Sequence, residues 1–145
     1  MERYAEVARA LASDGLQVLV NCGPGEEPIA QQIAAADPQS AKVVGSSLGQ
    51  LTALVRRARL FIGGDTGPVH LAAALRVPVV AIYGPTDPQR NGPYGPMGSN
   101  RAIAVLRSSE STTSHARHTA PESGLLQITV SEVLAAARRL LEQKR

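Results

Sequence analysis

Apolar positions along the chain alternate between two spacings. Tyr4, Val7, Ala8 and Leu11 recur at helical spacing and Ser13, Asp14 and Gly15 end the pattern, which predicts an opening amphipathic helix. LQVLVNC, Leu16 to Cys22, is a short run rich in Val and Leu of the kind that forms a buried parallel strand. GPGEEP then breaks the chain, IAQQIAAA (Ile29 to Ala36) restores a helical period, and Asp37 and Pro38 stop it. Lys42 to Gly45 predicts a second strand. Ser47-x-x-Gln50 stands directly before the periodic LTALVRRA, a capping-box start in which both side chains satisfy free amides at a helix N-terminus.

Leu60 to Ile62 predicts a third strand, His70 to Leu75 part of a short helix, and Pro78 to Tyr83 a fourth strand. Four strand-helix alternations in about 80 residues argue for an α/β fold, a parallel sheet with helices on both faces joined by right-handed crossovers. Beyond Gly84, GPTDPQRNGPYGPMGSN is rich in Pro and Gly and predicts an exposed, turn-rich loop. Ala102 to Leu106 is a candidate fifth strand. Ser108 to Gly124 has almost no large apolar residue, which predicts a long surface loop or partial disorder. Thr129 or Ser131 caps a last amphipathic helix through Val133, Leu134, Ala137, Leu140 and Leu141.

Composition narrows the classes. At 145 residues and 43% hydrophobic the chain suits one ordinary domain. Fifteen basic against 12 acidic residues give only +3, and aromatics at 3% with no Trp offer no stacking platform, so no nucleic-acid partner is expected. The clusters Arg56, Arg57, Arg59 and Arg138, Arg139, Lys144, Arg145 permit weak attraction to an anionic membrane face, although solvated helix faces explain them as well. Cys22 stands alone, so no internal disulfide forms, and its place at the end of an apolar run suits a buried thiol. No stretch reaches a membrane span and the N-terminus lacks a signal peptide's apolar core, so a cytoplasmic protein is expected.

The candidate chemistry lies in GGDTGPVH. The strand LFI delivers the chain to Gly63, Gly64 and Asp65, and Pro68 pre-sets the backbone angle of the following helix. In open parallel sheets the carboxyl edge binds ligands, because helix N-termini aim unpaired amides and partial positive charge at one crevice. Gly63, Gly64 and Gly67 remove Cβ atoms that would hold an anion away, and the Thr66 hydroxyl and nearby amides can donate to it. His70, one turn into the helix, can point back at the same anion. A second bend, YGPTDP, projects Thr86 and Asp87 beside the first if the two strands are neighbours. The bland reading stays open: Asp65 or Thr66 caps the helix, and His70 is a buried ring with a satisfied nitrogen.

GGDTGPVHLAAALRVPVVAIYGPTDPQRNGPYG closely resembles the signature of the heptosyltransferases, glycosyltransferase family 9. The likeness runs through nearly the whole chain, from ERYAEVARAL to the closing helix, and is weakest over Ser108 to Gly124. It implies the Rossmann-like C-terminal, donor-binding domain of a GT-B enzyme that transfers heptose from ADP-heptose to lipopolysaccharide with inversion. Asp65, Thr66, Gly67 and His70 then match the motif that contacts the donor's diphosphate and sugar. Glu26 matches an acid that accepts from the ribose hydroxyls, its alternative being an acid favoured by the helix dipole. Ser46 falls where relatives place an apolar residue against the adenine, which implies an altered base pocket.

Where many relatives carry cysteines, this chain has Ser, Thr and His. His115 and His118 without cysteines make a poor zinc site, so no metal site is expected. No cofactor is implied, ADP-heptose being a substrate, and the sequence is silent on magnesium. The family's acceptor-binding domain, its catalytic Asp base and a phosphate-binding Lys are expected upstream of these residues, so no catalytic residue is assigned here and the chain alone is expected to be inactive. The lipopolysaccharide acceptor would be met through that other domain, association would be peripheral to the inner membrane, and an uncovered cleft face would permit self-association. Two other readings stay open: a non-catalytic nucleotide-binding or scaffold module, and a domain of the sugar-nucleotide 2-epimerase kind.

Overall fold

The computed structural model describes residues 1–94, 102–114 and 122–143. His115, His118, Lys144, Arg145 and the second half of the turn-rich loop lie outside them. The chain divides into two compact units, Met1–Leu51 and Thr52–Arg145.

In the first unit, helix α1 (Glu2–Ser13), strand β1 (Val18–Cys22), helix α2 (Glu27–Ala34) and strand β2 (Ala41–Gly45) follow one another. The strands pair in parallel from Val18 opposite Ala41 to Cys22 opposite Gly45. Val7, Ala8, Leu11, Cys22, Ala30, Ala34, Ala41 and Leu51 are its buried apolar residues, which include the thiol expected to be buried. β1 starts two residues later than the apolar run because the Leu16 amide returns to the Leu11 carbonyl at 3.1 Å and completes the helix cap. α2 starts two residues early because Pro28 falls in its first turn, where the missing N–H has no intrahelical partner to lose. It stops early because the Asp37 carboxylate accepts from the Gln39 and Ser40 amides, both at 3.2 Å, and turns the chain.

Helix α3 (Leu48–Arg57) carries the chain into the second unit, behind the expected box: the Ser47 amide donates to Gln50 at 2.9 Å and the Gln50 amide to the Ser47 hydroxyl at 3.4 Å. There follow β3 (Phe61–Gly64), α4 (Gly67–Ala74), β4 (Val79–Tyr83), the one-turn helix α5 (Pro88–Asn91), β5 (Ile103–Arg107), a 3-10 turn at Leu125–Gln127, and α6 (Val130–Glu142). All three strands are parallel in the order β3-β4-β5. Val79 and Val80 point to opposite faces of the central strand and neither has exposed surface, so helices cover both faces as expected. α4 packs against β3 and β4, and α6 against β4 and β5.

Two expectations need revision. The loop after Gly84 is not exposed throughout, because Gly92 and Pro93 are buried. The physical reason is Tyr83, a fully buried phenol whose hydroxyl needs a partner and donates to the Gly92 carbonyl. The described part of Ser108 to Gly124 is also fastened down. Glu122 accepts from the Ser111 hydroxyl and from the amides of Thr112, Gly124 and Leu125, at 2.9 to 3.3 Å. The cap of α6 resolves to Thr129, with Glu132 closing a reciprocal box.

The two helix ends at Gly15 and Arg76 carry the same cap. After α1 the Gly15 and Leu16 amides return to Ala12 and Leu11; after α4 the Arg76 and Val77 amides return to Ala73 and Ala72, each at 3.0 Å. Gly15 holds φ +82° and Arg76 φ +61°, so one cap uses glycine and the other forces a side chain into the left-handed region. Arg76→Gly is expected to raise stability by about 0.5–1 kcal/mol once the extra freedom of the unfolded chain is subtracted. Urea unfolding with an unchanged slope checks it.

Glu122 supplies a pH prediction. Loss of hydration raises its pKa, but the hydrogen bonds from Gly124, Leu125, Thr112 and Ser111 outweigh that and hold it below the ordinary 4.5. A carboxyl depressed in the folded state stabilises it above the unfolded value, and that contribution is lost as pH falls from about 4.5 through the lower folded value. Acid titration of stability is therefore expected to be shallower in Glu122→Gln than in the parent.

Candidate functional site

β3 and β4 are neighbours, Gly64 facing Ile82 across the ladder, so the bends that leave them emerge at one carboxyl edge. Thr86 and Asp87 therefore leave the sheet beside the GGDTG bend, as expected for neighbouring strands. Gly64 lies where a Cβ would come 3.7 Å from the Ile82 carbonyl oxygen, and beside Gly67 there is open space. Thr66 is the N-cap of α4 in an extended conformation, yet no side chain caps the helix; its hydroxyl donates instead to the Gly64 carbonyl at 3.4 Å. The capping alternative for Asp65 and Thr66 is therefore not what forms. The start of α4 keeps its positive end uncapped by any side chain, and a helix start in that state favours anions.

Asp65 turns toward the helix. Its Oδ1 lies 2.9 Å from His70 Nε2, with the carboxylate 18% and the imidazole 39% exposed. His70 is thus neither buried nor aimed freely outward, because it reaches back one turn and meets the acid. Burial first, and the adjoining Asp65 second, push the pKa of the Tyr83 hydroxyl far above its ordinary value, so the phenol remains a donor beside that carboxylate. Tyr83 was not singled out in the sequence, where it reads as the end of an apolar strand. Its polar role comes from the fold, which brings the hydroxyl to the Gly92 carbonyl and beside Asp65.

In the second bend Thr86 is half-exposed, while Asp87 caps α5, its Oδ1 accepting the Gln89 amide at 2.9 Å. One oxygen of Asp87 is therefore structural. In the first unit, exposed Glu26 stands at the N-cap position of α2 without capping it; its Oε2 accepts the Gly23 amide at 2.8 Å and closes the GPGE turn. Ser46 donates to Asn21 Oδ1 at 2.7 Å. Among the described residues no three His, Cys, Asp or Glu side chains gather as metal ligands, and no helix is long and apolar enough to cross a membrane.

Residues 1–123 match the model of glycosyltransferase family 9 (heptosyltransferase). The chain belongs to that family. A lipooligosaccharide heptosyltransferase 2 of Haemophilus influenzae is 29% identical over 148 aligned positions, which cover 95% of this chain and 41% of that relative. The structure of E. coli ADP-heptose lps heptosyltransferase II superposes with TM-score 0.81 at 27% identity, over 97% of this chain and 41% of that one. An E. coli heptosyltransferase solved with ADP superposes with TM-score 0.73 at 29% identity, over 92% of this chain and 37% of that one. The chain thus spans about two fifths of the length of these family members, and the glycosyltransferase 9 domain type is the α/β architecture described above.

Tyr83→Phe tests the buried polar contact. Removing one hydroxyl from a fully buried ring leaves the Gly92 carbonyl without its donor and is expected to cost about 1–3 kcal/mol. The sign with pH is fixed by the raised pKa: the contribution is complete below the ordinary value of 10 and disappears as pH rises toward the folded value. Urea unfolding at pH 7 and at pH 11 should therefore show the difference between parent and variant shrinking in alkali.

Proposed function

We propose that this chain is the donor-binding domain of a heptosyltransferase, holding ADP-heptose while heptose passes with inversion to a lipopolysaccharide acceptor presented by another domain. The single observation that carries the reading is the edge itself: an α4 N-terminus with no side-chain cap, beside the Asp65–His70 pair and the Thr86 bend.

The diphosphate would lie against the first turn of α4, where Gly67 leaves its backbone open to approach. A bare carboxylate there would repel phosphate, but Asp65 is paired with His70, which leaves it an acceptor for a sugar hydroxyl while the imidazole faces the anion. Within the first unit, Glu26 has Oε1 as a hydroxyl acceptor, its Oε2 being engaged by Gly23. In the transfer step the acceptor oxygen, deprotonated by a base outside these residues, attacks the anomeric carbon as the bond to ADP breaks and charge collects on the diphosphate. Helix amides and His70 stabilise that developing charge, the electrostatic share of catalysis.

On this reading residues 1–145 are one functional domain, no resident cofactor is needed, and transfer requires the acceptor domain. The protein would work in the cytoplasm against the membrane that carries the acceptor, with exposed Arg56, Arg57 and Arg59 adding attraction to anionic headgroups.

Calorimetric titration with ADP tests the reading. Binding is expected, and Asp65→Ala or His70→Ala should each weaken it about tenfold to a hundredfold, the range for losing a charged hydrogen bond. No heat at millimolar ADP, or preference for a uridine nucleotide, would overturn it, the second in favour of an epimerase-like domain.

A further inference from the structure

We propose that residues 107–114 and 122–125 form a bracket that holds the second bend, 84–87, in its ligand-facing shape, with Arg107 as the positioning residue. Arg107 ends β5 opposite Tyr83, the last residue of β4, so its side chain starts beside the bend. Its Nε donates to the Gly84 carbonyl at 3.2 Å, and its Nη2 donates to the Ser111 carbonyl at 3.2 Å and to the Thr113 hydroxyl at 2.9 Å. One guanidinium thus joins the first residue of the bend to the segment that follows β5. That segment returns the contact, because the Ser114 amide donates to the Pro85 carbonyl at 3.0 Å.

The other arm is locked on by Glu122 and by two glycines. Both Glu122 oxygens accept, Oε2 from Ser111 and Leu125 and Oε1 from Thr112 and Gly124, so the carboxylate ties the two arms together. A Cβ on Gly124 would stand 2.6 Å from the backbone of Ser111, and one on Gly84 3.2 Å from Leu125 Cβ. The arms therefore cross directly over the start of the bend; Gly124 has no room for a side chain, and at Gly84 Leu125 would have to give way by a few tenths of an ångström. Carbonyls 84 and 85 are both held from one side, which leaves Thr86 and the cap made by Asp87 at the free edge. The guanidinium reaches these acceptors from two nitrogens set apart in one plane, whereas an ammonium presents its three donors from a single atom and cannot span the same separation.

The effect on nucleotide rests on the donor-site reading, but the effect on the bend does not, and the test separates them. Amide exchange at Gln89 and Asn91, whose bonds return to Asp87, reports the bend. It would be followed in the 145-residue protein, in Arg107→Ala and Arg107→Lys, and in Thr129→Ala, which weakens the cap of α6 away from the bend. Both Arg107 variants are expected to exchange about tenfold faster there and to bind ADP about tenfold more weakly, with Thr129→Ala changing neither. Parent-like exchange in Arg107→Ala, full retention by Arg107→Lys, or equal acceleration in Thr129→Ala would each overturn the bracket. If the parent binds no ADP, the donor reading fails while the exchange result still decides the bracket.

Discussion

The parallel pairing of β3 with β4 is the constraint on which the rest of the second unit depends. Two parallel neighbours must be joined by a segment that travels back along the sheet, and here that segment is α4. The helix therefore begins at the edge where both strands end, and its N-terminus, the GGDTG bend and the YGPTDP bend share that edge without further arrangement. The pairing survives because β4 is central: Val79, Val80, Ala81 and Tyr83 have no exposed surface. Full burial of a Val contributes about 1.5–3 kcal/mol, so the strand that positions the site is also anchored by the best-packed residues of its unit.

Polar groups at that edge are arranged by mutual need. Tyr83 carries a hydroxyl into the apolar layer and satisfies it on Gly92, which draws the chain after α5 inward. The same ring lies against Asp65, whose other neighbour is His70. The carboxylate thus meets the imidazole and does not cap α4. A helix start that would ordinarily be closed by its own Asp or Thr is left without that side-chain cap, which forgoes a contribution of about 1 kcal/mol.

Stability is supplied elsewhere, where no ligand is needed. The Ser47–Gln50 and Thr129–Glu132 boxes close α3 and α6, and Asp37 closes the turn after α2. Glu122 has the same character, gathering four donors over a segment poor in apolar side chains. Such a segment cannot fold by burial, so it is organised by a charge that accepts from several backbone groups at once. That organisation places it on the Gly84 bend.

The sequence by itself determined what depends on near neighbours. Alternation of apolar runs and helical periods specified a parallel α/β fold, and the box at Ser47 was readable because its partner Gln50 lies three residues on, whereas the cap of α6 was open between Thr129 and Ser131. The GGDTG bend was readable as a strand end running into a helix start because glycine, proline and helix start are contiguous. Tertiary structure alone decided the rest. Asp65 and His70 lie five residues apart across a bend and a helix start, so no regular spacing announces their contact, and Asp65 read equally well as a cap. Tyr83 and Gly92, Arg107 and Gly84, and Glu122 and Ser111 are separated by 9, 23 and 11 residues, and each meets its partner only after the strands have paired. The physical reason is range: periodicity and capping act within a turn or two of chain, whereas a buried hydroxyl or a half-buried guanidinium chooses its acceptor from whatever the folded sheet brings within hydrogen-bond reach.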